Sequence, residues 1–113
     1  MSEPVALTED EITEALKRVP RWQRQGDSVT RLIPVRYHAG VALIVHVADI
    51  SRLTQHHADI HLSFDGVRFS ITTHDAGGVL TEADLTLAER IDVIASGHAA
   101  RWDLEPVEQP GAE

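Results

Sequence analysis

The chain of 113 residues is 42% hydrophobic and 4% aromatic, a composition that suits one domain with a mainly aliphatic core. Its eighteen acidic and ten basic residues give a net charge of −8, which argues against a nucleic-acid backbone or an anionic membrane as a partner. The chain has no cysteine, so disulfides, thiolate metal sites and a cysteine nucleophile are excluded.

The N-terminal part predicts a lead-in and a helix. Residues 1–4 lack the basic and apolar regions of a secretion signal, and we therefore expect a cytoplasmic protein. Thr8 and Glu11 have the spacing of a capping box, in which each side chain accepts a hydrogen bond from a backbone N–H of the first turn. Apolar residues then recur at helical spacing until Pro20, which predicts a helix over residues 8–18.

A hairpin and a long helix follow. Trp22 opens a polar strand, residues 25–28 have the composition of a turn, and residues 29–35 form a second strand. We expect Trp22 to anchor the core. Residues 38–55 have no proline and only one early glycine, and the length of this segment favours a helix over a buried strand.

The clearest turn signal is Asp65-Gly66, which lies between two segments of alternating polarity. As the centre of a two-residue turn, it predicts the strand pairs Phe64–Val67, Leu62–Phe69 and Ile60–Ile71. This register places every apolar residue of the hairpin on one face, where helices are expected to bury them.

Histidines cluster on the other, polar face of this hairpin. Four of the seven histidines lie between positions 56 and 74, and extending the register sets His57 directly opposite His74. Directly opposed residues have Cβ atoms about 4.5–5.5 Å apart, so the two imidazoles would meet around one small group. Imidazole gives and takes protons near neutral pH, which indicates a site for acid–base chemistry.

The last predicted helix begins at Thr81, its expected N-cap, and ends between residues 97 and 102. Its predicted buried stripe consists of Leu85, Ala88, Ile91 and Ala95. The order helix, two strands, helix, two strands, helix predicts an α+β two-layer sandwich, a four-stranded antiparallel sheet with helices on one face. We expect residues 1–102 to form this single domain and residues 103–113 to be a flexible tail, since that segment contains two prolines and a glycine.

Several of these residues, taken together, resemble the pterin-4a-carbinolamine dehydratase family. The resemblance covers roughly residues 8–95, and the spacing of its motifs is specific. It rests on Pro20-Arg21-Trp22, His56-His57, Phe64, the segment Thr72 to Gly78 and the segment Asp84 to Asp92.

The resemblance implies an enzyme that removes water from a 4a-hydroxytetrahydropterin without a metal or a bound cofactor. The catalytic residues that it implies are His56, His57, His74 and Asp84. The substrate-binding residues that it implies are Asp59, Phe64, Thr73 and Asp75. We expect His57 and His74 to transfer the protons, with Asp84 as a supporting carboxylate; His61 is not a family position.

Two positions depart from the family pattern: Arg52, where an acidic residue or lysine is usual, and Ala58, where proline is usual. A second hypothesis is therefore a non-enzymatic member, similar to a Rubisco assembly factor or a cofactor of a protein partner. A third is a metal site built from the clustered histidines and Asp75, although His56 and His57, adjacent on a strand, would point to opposite faces. An uncovered sheet edge also leads us to expect a homodimer or homotetramer.

Overall fold

The computed structural model describes residues 5–54, 56–74 and 78–102. Its elements are helix α1 (Glu9–Leu16), strands β1 (Gln23–Gln25) and β2 (Ser28–Ile33), helix α2 (Tyr37–Thr54), strands β3 (Asp59–Ser63) and β4 (Gly66–Ile71), and helix α3 (Glu82–Trp102). The predicted element order and the α+β class are confirmed. The predicted tail lies outside the described residues, as do residues 1–4, Gln55 and residues 75–77.

The four strands form one antiparallel sheet in the order β1-β2-β4-β3, which leaves β1 and β3 at the edges. Alternate side chains of the two central strands point to one face, and the helices cover it. The fully buried core there includes Val29, Val67, Phe69 and Ile71 from the sheet and Leu43, Val47, Leu85 and Ile91 from the helices. The predicted buried stripe of α3 is confirmed at all four positions, and Trp22, 4% exposed, anchors the core as expected.

The turn between β3 and β4 lies one residue earlier than predicted. Ser63 pairs with Gly66, so the two turn residues are Phe64 and Asp65. Gly66 has a φ of 135°, and a Cβ on it would lie 2.2 Å from the carbonyl oxygen of Ile33. Glycine is therefore required at position 66 because the backbone of β2 approaches closely, and not because this residue is at the centre of the turn.

Moving the turn by one residue shifts each strand pair by two positions, so the side chains keep their predicted faces while their partners change. Ile60 lies opposite Phe69 instead of Ile71. Phe64 was predicted to pair with Val67 on the apolar face, but it lies in the turn and is 72% exposed. The prediction that the helices bury Ile60 is also wrong: it lies on the edge strand and is 36% exposed.

The same correction removes the predicted contact between two histidines. The β3–β4 ladder ends at the pair Asp59–Ser70, so neither His57 nor His74 belongs to it. The prediction that these two residues lie directly opposite each other across the strands is wrong, because the ladder ends before Ala58 and its register would place Thr72, not His74, opposite His57.

Helix α2 lies close against the sheet. A Cβ on Gly40 would be 2.9 Å from Leu62 Cδ1 and 3.0 Å from Val67 Cγ2, so a larger residue there would require these side chains or the helix to shift. The opposite side of α2 leaves Val45 and Leu53 exposed. Of the described helices, none combines the length and the apolar character that a membrane-spanning segment needs.

Helix α1 has the predicted capping box. The Glu11 N–H donates to Thr8 Oγ1 at 3.2 Å, and the Thr8 N–H donates to Glu11 Oε1 at 2.8 Å. Arg24 on β1 donates to both carboxylate oxygens of Glu9 and so connects α1 to the first strand. These hydrogen bonds to the Arg24 guanidinium hold the pKa of the Glu9 carboxyl below its usual value.

Candidate active site

The centre of the candidate site is the carboxylate of Asp84, which is fully buried at the start of α3. His56, between α2 and β3, approaches it, and the distance from His56 Nε2 to Asp84 Oδ1 is 2.6 Å. The His56 side chain is 17% exposed and that of Asp84 is 0% exposed. Two of the residues that the resemblance implied for the site, His56 and Asp84, are therefore in direct contact.

The second carboxylate oxygen of Asp84 accepts from two threonines. The Thr73 hydroxyl and the Thr81 backbone N–H each donate to Asp84 Oδ2 at 2.7 Å. The two threonine hydroxyls also lie 2.7 Å apart, so Thr81 can donate to Thr73 while Thr73 donates to the carboxylate. Both oxygens of this buried carboxylate are thus hydrogen-bonded, as a buried charge requires.

The local sequence explains why a carboxylate is held here. Asp84 is the third residue after Thr81 at the N-terminus of α3, and its side chain reaches back to the Thr81 N–H as the acidic partner of a capping box does. The positive end of the helix dipole also favours a negative charge in this turn. The predicted N-cap and the predicted site carboxylate are therefore parts of one structure.

Asp84 connects the two chain segments that carry His57 and His74. His56 immediately precedes His57, and Thr73 immediately precedes His74. The backbone N–H of Thr73 also donates to the Val79 carbonyl at 3.0 Å, which fixes this residue between β4 and α3. His57 and His74 are themselves exposed, and each directly follows a residue that is hydrogen-bonded to Asp84.

This arrangement determines which nitrogen of His56 carries the proton. A carboxylate only accepts hydrogen bonds, so His56 in its neutral form donates from Nε2 to Asp84 and leaves Nδ1 as the acceptor. The ring orientation is thereby set by a carboxylate that is itself held by two other donors, the Thr73 hydroxyl and the Thr81 N–H. His56 is held by this hydrogen bond, whereas His57 and His74 are exposed and accessible to a ligand.

The residues expected to bind substrate are distributed unevenly. Thr73 is in the Asp84 network, and Asp59 is exposed at the start of β3, close in sequence to His57. Phe64 lies past the other end of β3, five residues and about 17 Å along an extended strand from Asp59. Asp75 lies outside the described residues.

Sequence reasoning missed the part that Thr81 has in the site. It identified Thr81 only as an N-cap, although an acidic residue three positions after a threonine is a signal that the two side chains meet. Arg52, which departs from the family pattern, is 70% exposed and donates to Asp49 at 2.9 Å. This cation is therefore already paired with a carboxylate on its own helix.

Comparison with known proteins shows which family the sequence matches. The sequence model of the family described as pterin 4 alpha carbinolamine dehydratase matches residues 5–94. A protein of Streptomyces avermitilis named "Putative pterin-4-alpha-carbinolamine dehydratase" is 37% identical over 95 residues, which span 83% of this chain and 94% of the relative. A protein of Chloroflexus aggregans with the same name is 41% identical over 90 residues, spanning 78% and 95%.

A solved structure is also similar over most of the chain. It is the crystal structure of a transcriptional coactivator/pterin dehydratase from Brucella melitensis, and it matches with a TM-score of 0.75 at 26% sequence identity. The match covers 80% of this chain and 99% of that one. Sequence and fold therefore lead to the same group of proteins.

Proposed function

This chain belongs to the pterin-4-alpha-carbinolamine dehydratase family, and from that premise we propose that it dehydrates a 4a-hydroxytetrahydropterin to the quinonoid dihydropterin. The observation that carries the proposal is the buried Asp84 carboxylate, which holds His56 directly and holds the residue that precedes His74. The site needs no metal or bound cofactor for this reaction, because only protons and a hydroxyl group move.

The chemistry requires one acid and one base. The bond between C4a and its hydroxyl group breaks, the proton on N5 leaves, and a C4a–N5 double bond forms while water is released. An acid protonates the departing hydroxyl and a base takes the N5 proton. Two positioned imidazoles suit both tasks, and a general acid or base typically contributes about 10²–10⁴-fold to the rate.

We assign these proton transfers to His57 and His74. Both side chains are exposed, so both are accessible to a pterin at the surface. The pair His56–Asp84 has a different task, since a ring held at 2.6 Å by a buried carboxylate keeps a fixed orientation. His56 thus contributes Nδ1 as an ordered hydrogen-bonding group beside the proton-transfer residues, and Asp84 is a positioning residue.

Measuring the decay of a 4a-hydroxytetrahydropterin with the purified chain tests the proposal. We expect the wild type to accelerate it, and His57→Ala or His74→Ala each to lower kcat by about 10²–10⁴-fold. His61→Ala is the matched control, because His61 is an exposed histidine of β3 outside this network. Equal activity of the His57, His74 and His61 variants would contradict the assignment.

A second candidate function is binding without catalysis. The similar Brucella melitensis structure carries the name of a transcriptional coactivator as well as of a pterin dehydratase. If the wild type leaves the pterin decay at its uncatalysed rate and calorimetry detects no pterin binding, this alternative, a module for a protein partner, replaces the enzyme.

We further propose that the chain self-associates as a homodimer or homotetramer. Strand β3 is an edge of the sheet, and Ile60 on it is partly exposed. Apolar side chains are also exposed on the outer sides of α2 and α3, among them Val45, Leu53 and Val93. Sedimentation velocity at several concentrations measures the oligomer size, and a monomer at all concentrations would contradict this proposal.

A further inference from the structure

Two histidines outside the candidate active site meet on the outer surface of the helices. His46 lies in the middle of α2 and His98 near the end of α3, and His46 Nδ1 is 3.3 Å from His98 Nε2. His98 is fourteen residues beyond Asp84 on the same helix, which corresponds to about 21 Å. The pair is therefore separate from the carboxylate network and its histidines.

The pair occupies a distinct position in the fold. Ala95 is the last buried side chain of α3 among the described residues, and the helix continues past it. Within that described part, the contact between His46 and His98 joins the end of α3 to the middle of α2. The ring centroids are 5.5 Å apart and the ring planes are inclined by 53°, so the rings are tilted and do not stack face to face.

We propose that His46 and His98 form a two-imidazole site for a divalent metal ion of the zinc class. Zinc binds imidazole nitrogen at about 2.0–2.1 Å, and two nitrogens on a tetrahedral ion then lie about 3.3–3.4 Å apart. The nitrogen–nitrogen distance in this pair is 3.3 Å. The two rings share a hydrogen bond at this distance, so an ion takes its place when each ring carries its proton on the other nitrogen and both facing nitrogens present a lone pair.

The ligand set defines the affinity and the selectivity. Among residues 5–54, 56–74 and 78–102 there is no group of three or more His, Cys, Asp or Glu placed to hold a metal ion, so the proposed site has two ligands from the described residues and takes water as the others. Such a site is weak and exchanges readily. Imidazole ligands favour Zn²⁺, Ni²⁺ and Cu²⁺ over Mg²⁺, which prefers oxygen. A bound ion would connect α2 to α3 and stabilise the folded chain by mass action.

Titration calorimetry with zinc chloride alone, on the full chain, tests this site. We expect one Zn²⁺ per chain for the wild type, and a loss of affinity of about 10²-fold in His46→Asn and in His98→Asn, because one of two preplaced ligands is gone. Magnesium chloride should give no heat of binding. The matched control is His61→Asn, which removes an exposed histidine elsewhere and should leave zinc affinity unchanged.

A thermal-unfolding series gives a second readout. Zinc should raise the Tm of the wild type and of His61→Asn but not that of either pair variant, and circular dichroism verifies that each variant is folded. Zinc binding that survives in the double variant His46→Asn/His98→Asn, or a wild type that binds none, would overturn the site. Pterin dehydration is unaffected by these two substitutions, so failure here and failure of the proposed function are separate results.

Discussion

Helix α3 carries two aspartates that hold other parts of the chain, and they differ in what they hold. Asp84 accepts from His56, Thr73 and the backbone of Thr81. Asp92, eight residues and about 12 Å further along the helix, accepts from Trp22 Nε1 at 2.7 Å and from the Arg31 guanidinium. Asp84 connects α3 to the segments next to β3 and β4, and Asp92 connects it to β2 and to Trp22.

The difference lies in whether the partner can exchange a proton. Arg31 is always charged, and its side chain is only 9% exposed, so its pair with Asp92 is a permanent clamp between β2 and α3. His56 can carry either one or two ring protons, and its carboxylate partner is completely buried. One aspartate therefore stabilises the fold and the other orients a group that can take part in chemistry.

The largest expected effect is the loss of activity in Asp84→Asn. An Asn side chain can present its amide N–H₂ to His56, which then has to accept at Nε2 and carry its proton on Nδ1. The ring would adopt the wrong tautomer, and we expect kcat to fall by about 10²–10⁴-fold. Rapid-mixing assays of pterin dehydration measure this.

Asp92→Asn is the matched control for that substitution. It makes the same chemical change on the same helix but outside the site, so the activity per folded molecule should stay at the wild-type value. If both variants lost activity equally, the contrast between the two aspartates would disappear and Asp84 would be a structural residue only.

The second expected effect is a loss of stability, and here Asp92 is the aspartate whose substitution matters. Asp92→Asn leaves the Arg31 charge without its carboxylate. Breaking a fully buried ion pair costs about 3–5 kcal/mol, and since Asp92 is 26% exposed we expect about 2–3 kcal/mol here. Urea denaturation with an unchanged m-value measures the loss. A change below about 0.5 kcal/mol would mean that the Arg31–Asp92 contact is not a clamp.

Much of this fold could be predicted from the sequence because local signals agree with the global pattern. The capping box at Thr8, the helical length of residues 38–55 and the alternating strands each specify one element. The register of the central hairpin could not be predicted. Gly66 looked like the centre of a turn, but what requires glycine there is the backbone of β2 at Ile33, a neighbour distant in sequence.

Three of the residues expected in the site, His56, Thr73 and Asp84, are in contact, but their geometry was not predicted. The sequence placed His57 opposite His74 across a strand ladder, whereas the two segments are connected through the side chain of Asp84. The Arg31–Asp92 pair was not predicted at all, because a charged residue on an apolar strand face gives no sign of its partner on a helix. Contacts between side chains of distant elements are set by packing, which no local pattern encodes.

The third expected effect concerns the Thr73 hydroxyl, which can be removed while the volume of the side chain is kept. Thr73→Val keeps the volume but removes a donor to the buried Asp84 carboxylate, which should cost about 1–2 kcal/mol of stability. It also loosens the residue before His74, so kcat should fall by about tenfold, and Thr73→Ser should restore both. Stopped-flow assays and urea denaturation are run on each variant.

Thr30→Val is the control for Thr73→Val. Thr30 is equally buried, and its hydroxyl donates to the Phe69 carbonyl at 3.0 Å within the sheet. We expect a comparable loss of stability with no loss of activity. Activity lost in both variants would show that the rate follows stability, and not the Asp84 network.

The smallest effect concerns Arg52 and Ala58, the two departures from the family pattern. Arg52 is exposed and paired with Asp49, in contrast to the buried partners of Asp84 and Asp92. Exposed charges contribute about 0.2–1 kcal/mol, so the double variant Arg52→Glu/Ala58→Pro should raise kcat/KM by about two- to threefold. Arg52→Gln alone should have a kcat/KM between that of the wild type and that of the double variant. Exposed charges are screened by salt, so the contribution of the Arg52 substitution should vanish at 1 M ionic strength. A gain in kcat/KM of about 10²-fold would contradict this expectation. So would a gain in Arg52→Gln that high salt leaves unchanged, because Arg52 would then act directly on the hydrogen-bonded histidine and not through solvent.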